Sequence, residues 1–195
     1  MLLEPVVFIA EYKFVFVIAH VLAVVTGMGA AISADILALR FGFNRILSRF
    51  EITTLRFLSR VVTFTLLVII TTGALIFLSN PEGYLASSKF LTKMTVVLVL
   101  TGNGWLLHRY VFPRLGDKKI LTNKRARGLR RLGFTLGAIS ITSWASAISL
   151  AILPPISMSY TEAVSIYAIF LVCAVCAAFL FEHIVFTRRR ARGHK

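Results

Sequence analysis

The sequence predicts an all-α integral membrane protein, a bundle of five transmembrane helices with the N-terminus outside and the C-terminus in the cytoplasm. Of its 195 residues, 57% are hydrophobic, and the mean hydropathy is +0.83. The apolar residues fall into blocks of about twenty, the length of helix that crosses roughly 30 Å of hydrocarbon. In lipid a helix satisfies the hydrogen bonds of every backbone polar group in such a block. Because five such blocks occupy most of the chain, one transmembrane domain over residues 1–195 is expected.

The five blocks end at loops that contain charged residues or helix-breaking residues. Pro81 and Gly83 follow the second block, Pro113 follows the third, and Pro154 follows the fourth. The first block lacks a basic leader and is too long for the core of a cleaved signal peptide, so we expect a permanent helix. The predicted helices span about 12–39, 57–78, 90–112, 132–153 and 162–186, and a basic cytoplasmic tail covers 187–195.

The basic residues predict the orientation. Of the 22 lysines and arginines, 19 lie in the loop after the first block, in the loop after the third block or in the tail. Lys13, Lys89 and Lys93 lie on the opposite side, so the positive-inside rule places the N-terminus outside. The net charge of +14 then reflects topology and contacts with anionic lipids at the cytoplasmic face of the bilayer, and not binding to nucleic acid.

Two local patterns leave alternatives open. A stripe of apolar residues before the second block predicts either an interfacial amphipathic helix or an extension of the second helix. This stripe consists of Phe43, Ile46, Leu47 and Phe50. In the fourth block, Gly133 and Gly137 have the G-x-x-x-G spacing that permits close helix packing. That packing would be within this bundle or in a homo-oligomer.

Ionisable residues inside a membrane are costly, so each one in these blocks is a functional candidate. His20 and Lys93 lie nearer the outer side, and Asp35, His108 and His183 lie nearer the inner side. His20 and Asp35 are fifteen residues apart, which places them about 60° apart around one helix. The first helix can therefore direct two polar groups toward the bundle interior at different depths.

The histidines are candidate ligands for a cofactor. Neutral imidazole binds haem iron, copper and zinc. His20 is the strongest candidate for a non-covalent haem b because it lies deepest, and Gly27 and Gly29 leave room for a flat ring. His108 is a second candidate for binding this cofactor, and His20 and His183 are candidate metal ligands. The alternative for each histidine is a structural hydrogen bond to a serine or a backbone carbonyl.

Cys173 and Cys176 form a C-x-x-C pair on one face of the fifth predicted helix. Thiolates there would bind Cu(I), whereas the alternative is that both cysteines are small apolar packing residues. The sequence contains no Walker loop, no G-x-S-x-G and no H-E-x-x-H, so nucleotide and hydrolase chemistry have no support.

Three segments carry a resemblance to a known group of proteins. They are "IAHVLAVVTGMGAAISADILALRF", "RFLSRVVTFTLLVIITTGALIFL" and "KFLTKMTVVLVLTGNGWLLHRY". Over about residues 15–112 they resemble small bacterial membrane proteins, the CopD-like copper-resistance domains and the HemJ-type protoporphyrinogen oxidases. The resemblance implies a haem- or porphyrin-binding bundle in the bacterial cytoplasmic (inner) membrane. It also implies that His20 binds haem and that Lys93 faces a propionate or the substrate in a catalytic site.

Three function hypotheses follow. The first is a haem- or porphyrin-handling redox protein, either a HemJ-like membrane oxidoreductase or a b-type electron-transfer protein. The second is a transporter or permease for a copper-like metal ion. Its relay ligands would be His20, Asp35, Cys173, Cys176 and His183. The third is a non-catalytic membrane subunit of a larger complex.

Overall fold

The computed structural model describes residues 11–42, 48–114, 125–154 and 157–192, which are mostly helical and contain no β-strand. Among these residues, five helices, here α1–α5, are long and apolar enough to cross a membrane, so the predicted number and class are confirmed. A π-helical segment and a 3-10 turn extend α3 to Arg114. The bounds of the five helices are Lys13–Gly42, Arg49–Leu78, Ser88–Leu106, Arg125–Ile152 and Tyr160–Arg192.

The start of α2 lies about two turns before its predicted position because a capping box forms there. The Ser48 hydroxyl accepts a hydrogen bond from the Glu51 backbone N–H, and the Glu51 carboxylate accepts one from the Ser48 backbone N–H. Phe50 therefore belongs to α2. The rest of the predicted amphipathic stretch lies outside the described residues: Phe43, Ile46 and Leu47.

A short connection joins α2 to α3. The Asn80 side chain accepts a hydrogen bond from the Gly83 N–H and caps a single helical turn, Pro81–Leu85. The Phe90 ring stacks on Phe77 at a centroid distance of 5.6 Å and contacts Tyr84 at 5.1 Å. Lys13 Nζ, at the start of α1, lies 5.6 Å from the Tyr84 ring centroid. We call this end the N-terminal side of the bundle and the other end the C-terminal side.

The helices form two groups that meet at α1 and α4. The first group is the α1–α2 pair, and the second contains α3, α4 and α5. Gly27 on α1 lies where the groups meet. A Cβ atom there would lie 2.6 Å from Thr65 Oγ1 and 2.9 Å from Trp144 Cη2, so only glycine permits this approach.

The exterior of the bundle is apolar, and much of its interior is small or polar. Phe14 is 74% exposed and Leu98 is 73% exposed, whereas Thr92, Ser143 and Asn103 are at most 4% exposed. Large exposed apolar surfaces are unusual for a protein in water and are expected where helices face lipid. Small polar residues at the helix contacts allow close approach and interhelical hydrogen bonds.

Candidate functional site

His20 on α1 is held by a hydrogen bond to α2. Its Nδ1 lies 2.9 Å from Thr72 Oγ1. The Thr72 hydroxyl donates its own hydrogen to the Val68 carbonyl at 2.6 Å, so its oxygen accepts from the imidazole. From this network we assign neutral His20 the tautomer protonated on Nδ1, which leaves the lone pair of Nε2 available to a ligand.

The α2 backbone also fixes the orientation of the His20 ring. A Cβ atom on Gly73 would lie 3.4 Å from His20 Cε1, so the ring rests against this glycine. Oriented imidazoles of this kind are typical of metal-binding histidines, whose second nitrogen donates a hydrogen bond.

Lys93 on α3 lies within electrostatic range of His20. It is half-buried, and within the described residues its ammonium group has no hydrogen bond and no ion pair. Lys89, one turn earlier, donates to the Leu153 carbonyl and is therefore partnered. Two of the predicted residues, His20 and Lys93, therefore lie on the N-terminal side of the bundle, within electrostatic range of each other.

A second polar group lies toward the C-terminal side, where Asp35 on α1 meets α4. Asp35 Oδ1 lies 3.5 Å from the position of a Cβ atom on Gly137, and the Ser140 hydroxyl approaches the carboxyl group. Asn103 on α3 reaches the same turn of α4, where its Nδ2 donates to the Leu136 carbonyl at 3.1 Å. Asn103 was not among the residues predicted from the sequence, although an amide in an apolar block is a signal that could have indicated it.

His108 lies in the π-helical segment Leu107–Val111, and both of its ring nitrogens are engaged. Nε2 lies 3.2 Å from Ser59 Oγ, and Nδ1 lies 3.2 Å from the Gly104 carbonyl oxygen. The α2 partners of His108 and His20, Ser59 and Thr72, are thirteen residues apart, or about 20 Å along the helix. His108 and His20 are therefore too far apart to bind the same iron.

The candidate residues on α5 lie at the surface of the bundle. Cys173, Cys176 and His183 are all exposed on the outer surface of the bundle. Glu182 beside them is only 3% exposed and pairs with Arg130 at 2.5 Å and Arg131 at 3.5 Å. This ion pair joins α5 to α4 near the C-terminal side. Within the described ranges, no three His, Cys, Asp or Glu side chains converge on a point that would hold a metal ion.

An open apolar groove of about 530 Å³ lies between α1 and α2. Ala19, Ala23, Phe64 and Val68 contribute to its wall, and Arg60 is its one charged residue. His20 is not among the residues that line this groove, so the groove and the histidine site are separate features of the α1–α2 pair.

Comparison with protein-family models, curated proteins and solved structures finds none that matches this chain. The fold defines a protein with five helices that are long and apolar enough to span a membrane. The resemblance to the CopD-like and HemJ-type group stays a prediction.

Proposed function

We propose that this chain is a membrane protein that binds a haem or a related porphyrin and takes part in a redox reaction. The observation that carries the proposal is the hydrogen bond between His20 Nδ1 and Thr72 Oγ1, which leaves Nε2 as a ligand nitrogen. A b-type haem held by one histidine needs this tautomer and a fixed ring.

The charge of Lys93, within electrostatic range of His20, supports the same proposal. A half-buried ammonium group is costly in an apolar environment, and an anionic partner offsets that cost. Lys93 has no such partner among the described side chains, and the propionates of a haem or porphyrin have the required charge. The residues near His20 therefore fit the group in ligand type and in charge.

The chain's own residues have distinct roles in this proposal. Thr72 holds the His20 ring and fixes its tautomer, and Gly73 sets how closely the ring approaches α2. Lys93 binds an anionic group of the ligand. The bound iron porphyrin would supply one-electron transfer, or the substrate itself would be the porphyrinogen that is oxidised.

The proposed arrangement in the membrane follows from the charges. With 19 of the 22 basic residues on one side, the N-terminal side faces outward and the C-terminal side faces the cytoplasm and anionic lipid. His20 and Lys93 then lie in the outer half of a bacterial cytoplasmic membrane, and electrons would be exchanged there.

The proposal is tested by the absorption spectrum of the detergent-purified chain, as purified and again after addition of haem b and removal of the unbound haem. We expect a Soret band that is lost in His20→Gln and retained in His183→Gln, a matched control because His183 lies on the outer surface of the bundle. A wild type without a Soret band under both conditions would contradict haem binding. Metal without porphyrin would favour the transporter hypothesis, and a colourless protein that copurifies with other subunits would favour the third hypothesis.

A further inference from the structure

Three helices meet on one turn of α4, residues 136–140, away from His20. Asn103 on α3 binds the Leu136 carbonyl, and Asp35 on α1 lies against Gly137 and Ser140. Asp35 is fifteen residues from His20, or about 22 Å along α1. The site is therefore distinct from the one proposed to bind a porphyrin.

Two buried oxygen atoms at this junction are Asp35 Oδ2 and Asn103 Oδ1. Neither atom accepts a hydrogen bond from any described residue. Asn103 is only 4% exposed. Its amide orientation is determined, because the Leu136 carbonyl can only accept and must face Nδ2. Buried polar atoms are nearly always hydrogen-bonded in proteins, and leaving one unsatisfied is costly. Two such atoms from separate helices on the same turn of α4 point to a bound group that attracts oxygen lone pairs.

We infer that Asp35 and Asn103 bind a monovalent alkali cation of the sodium class. The available ligands are carboxylate, amide and hydroxyl oxygens, which suit hard cations and not the soft metals that prefer sulfur or imidazole. Among the described residues, no lysine or arginine forms an ion pair with Asp35.

The charge balance selects a monovalent ion. One carboxylate neutralises one positive charge, whereas a divalent ion at this junction would leave an uncompensated charge in an apolar surrounding. The Ser140 hydroxyl, which is only 6% exposed, is available as a further oxygen ligand beside the carboxyl group. A buried water that donates to both oxygens, or a proton carried by Asp35, would satisfy the same atoms. Measuring sodium binding distinguishes these two alternatives from a bound cation.

The test measures binding of ²²Na⁺ to the full purified chain, with NaCl or choline chloride as competitor at constant ionic strength. We expect saturable binding at one site per chain that NaCl competes and choline chloride does not. In Asn103→Leu the Kd for sodium should rise at least about tenfold, equivalent to about 1.4 kcal/mol. Asp35→Asn should abolish binding, because it removes the only formal charge of the site.

Thr101→Val is the matched control, since Thr101 lies on α3 two residues from Asn103 but is exposed and bonds only the Val97 carbonyl. It should bind sodium as the wild type does. Absence of saturable ²²Na⁺ binding to wild type overturns the inference in favour of water or a proton. Wild-type affinity in a folded Asp35→Asn variant overturns it as well. If Asp35→Asn does not fold, the result for wild type and Asn103→Leu still decides.

Discussion

His20 Nδ1 on α1 lies 2.9 Å from Thr72 Oγ1 on α2, and the Thr72 hydroxyl donates to the α2 backbone. The direction of the two bonds fixes which ring nitrogen is protonated. A threonine bonded to its own helix thus acts as an acceptor toward a neighbouring helix. The availability of His20 Nε2 depends on a side chain that would not itself touch a ligand.

Thr72→Val should therefore weaken haem binding without removing the ligand histidine. Loss of the acceptor leaves Nδ1–H unsatisfied and the ring free to rotate, at a cost of about 1–3 kcal/mol. Haem titration followed at the Soret band measures the affinity, and Thr72→Ser should restore most of it. Thr71→Val is the matched control, because the exposed Thr71 makes the same bond to a carbonyl one turn earlier. Equal affinities in the Thr71 and Thr72 variants would contradict the positioning role.

Gly27→Ala should destabilise the contact between the two helix groups. The added methyl carbon would lie 2.6 Å from Thr65 Oγ1, and over-packing of this kind costs about 1–3 kcal/mol. Gly29→Ala adds the same atom two residues away, where nothing lies within 4 Å, and should be neutral or slightly stabilising. Thermal unfolding in detergent compares the two variants. An unchanged midpoint temperature of unfolding for Gly27→Ala would mean that α1 and α2 are further apart at Gly27 and Thr65 than in the structure.

Length and composition alone predict the five long helices, because a block of about twenty apolar residues has few other stable forms in lipid. The start of α2 was missed because its capping box at Ser48 and Glu51 lies outside the apolar block. A helix that begins in a polar segment is marked by its cap and not by its hydropathy.

The candidate sites were predicted only in part. Ionisable side chains such as His20, Asp35 and Lys93 stand out in apolar blocks, whereas Thr72 is neutral and resembles an ordinary packing residue. Whether His20 meets Thr72 depends on the register between α1 and α2, which close contacts such as that at Gly27 help to set. Such contacts cannot be obtained from the spacing along one helix.

The orientation predicts which loops are accessible from each side of the membrane. In a background with Cys173→Ser and Cys176→Ser, Asn80→Cys should react with an impermeant maleimide from outside the cell. Lys118→Cys should react only after permeabilisation, because the positive-inside rule retains the basic loops in the cytoplasm. Labelling of Asn80→Cys only from the cytoplasmic side would reverse the proposed topology.

The ion pair of Glu182 should contribute more to stability than an exposed ion pair does, because Glu182 is only 3% exposed. Glu182→Gln removes the negative charge that pairs with Arg130 and Arg131, and should lower the free energy of unfolding by about 1–3 kcal/mol. Glu162→Gln, in an exposed cap at the start of α5, is the control and should have a smaller effect. Chemical denaturation in detergent measures both. Haem binding should persist in either variant, since neither residue lies near His20.

Lys93→Met should reduce retention of an anionic porphyrin while the fold persists. Methionine keeps most of the length of the side chain but removes the charge, so a propionate would lose its partner and the affinity should fall about tenfold, or about 1.4 kcal/mol. Lys93→Arg should keep most of the affinity because the charge remains. Lys89→Met is the matched control, since Lys89 is one turn away and donates to the Leu153 carbonyl. If Lys93 only extends to the membrane surface, Lys93→Met and Lys89→Met will bind haem equally well, and Lys93 has no part in the site.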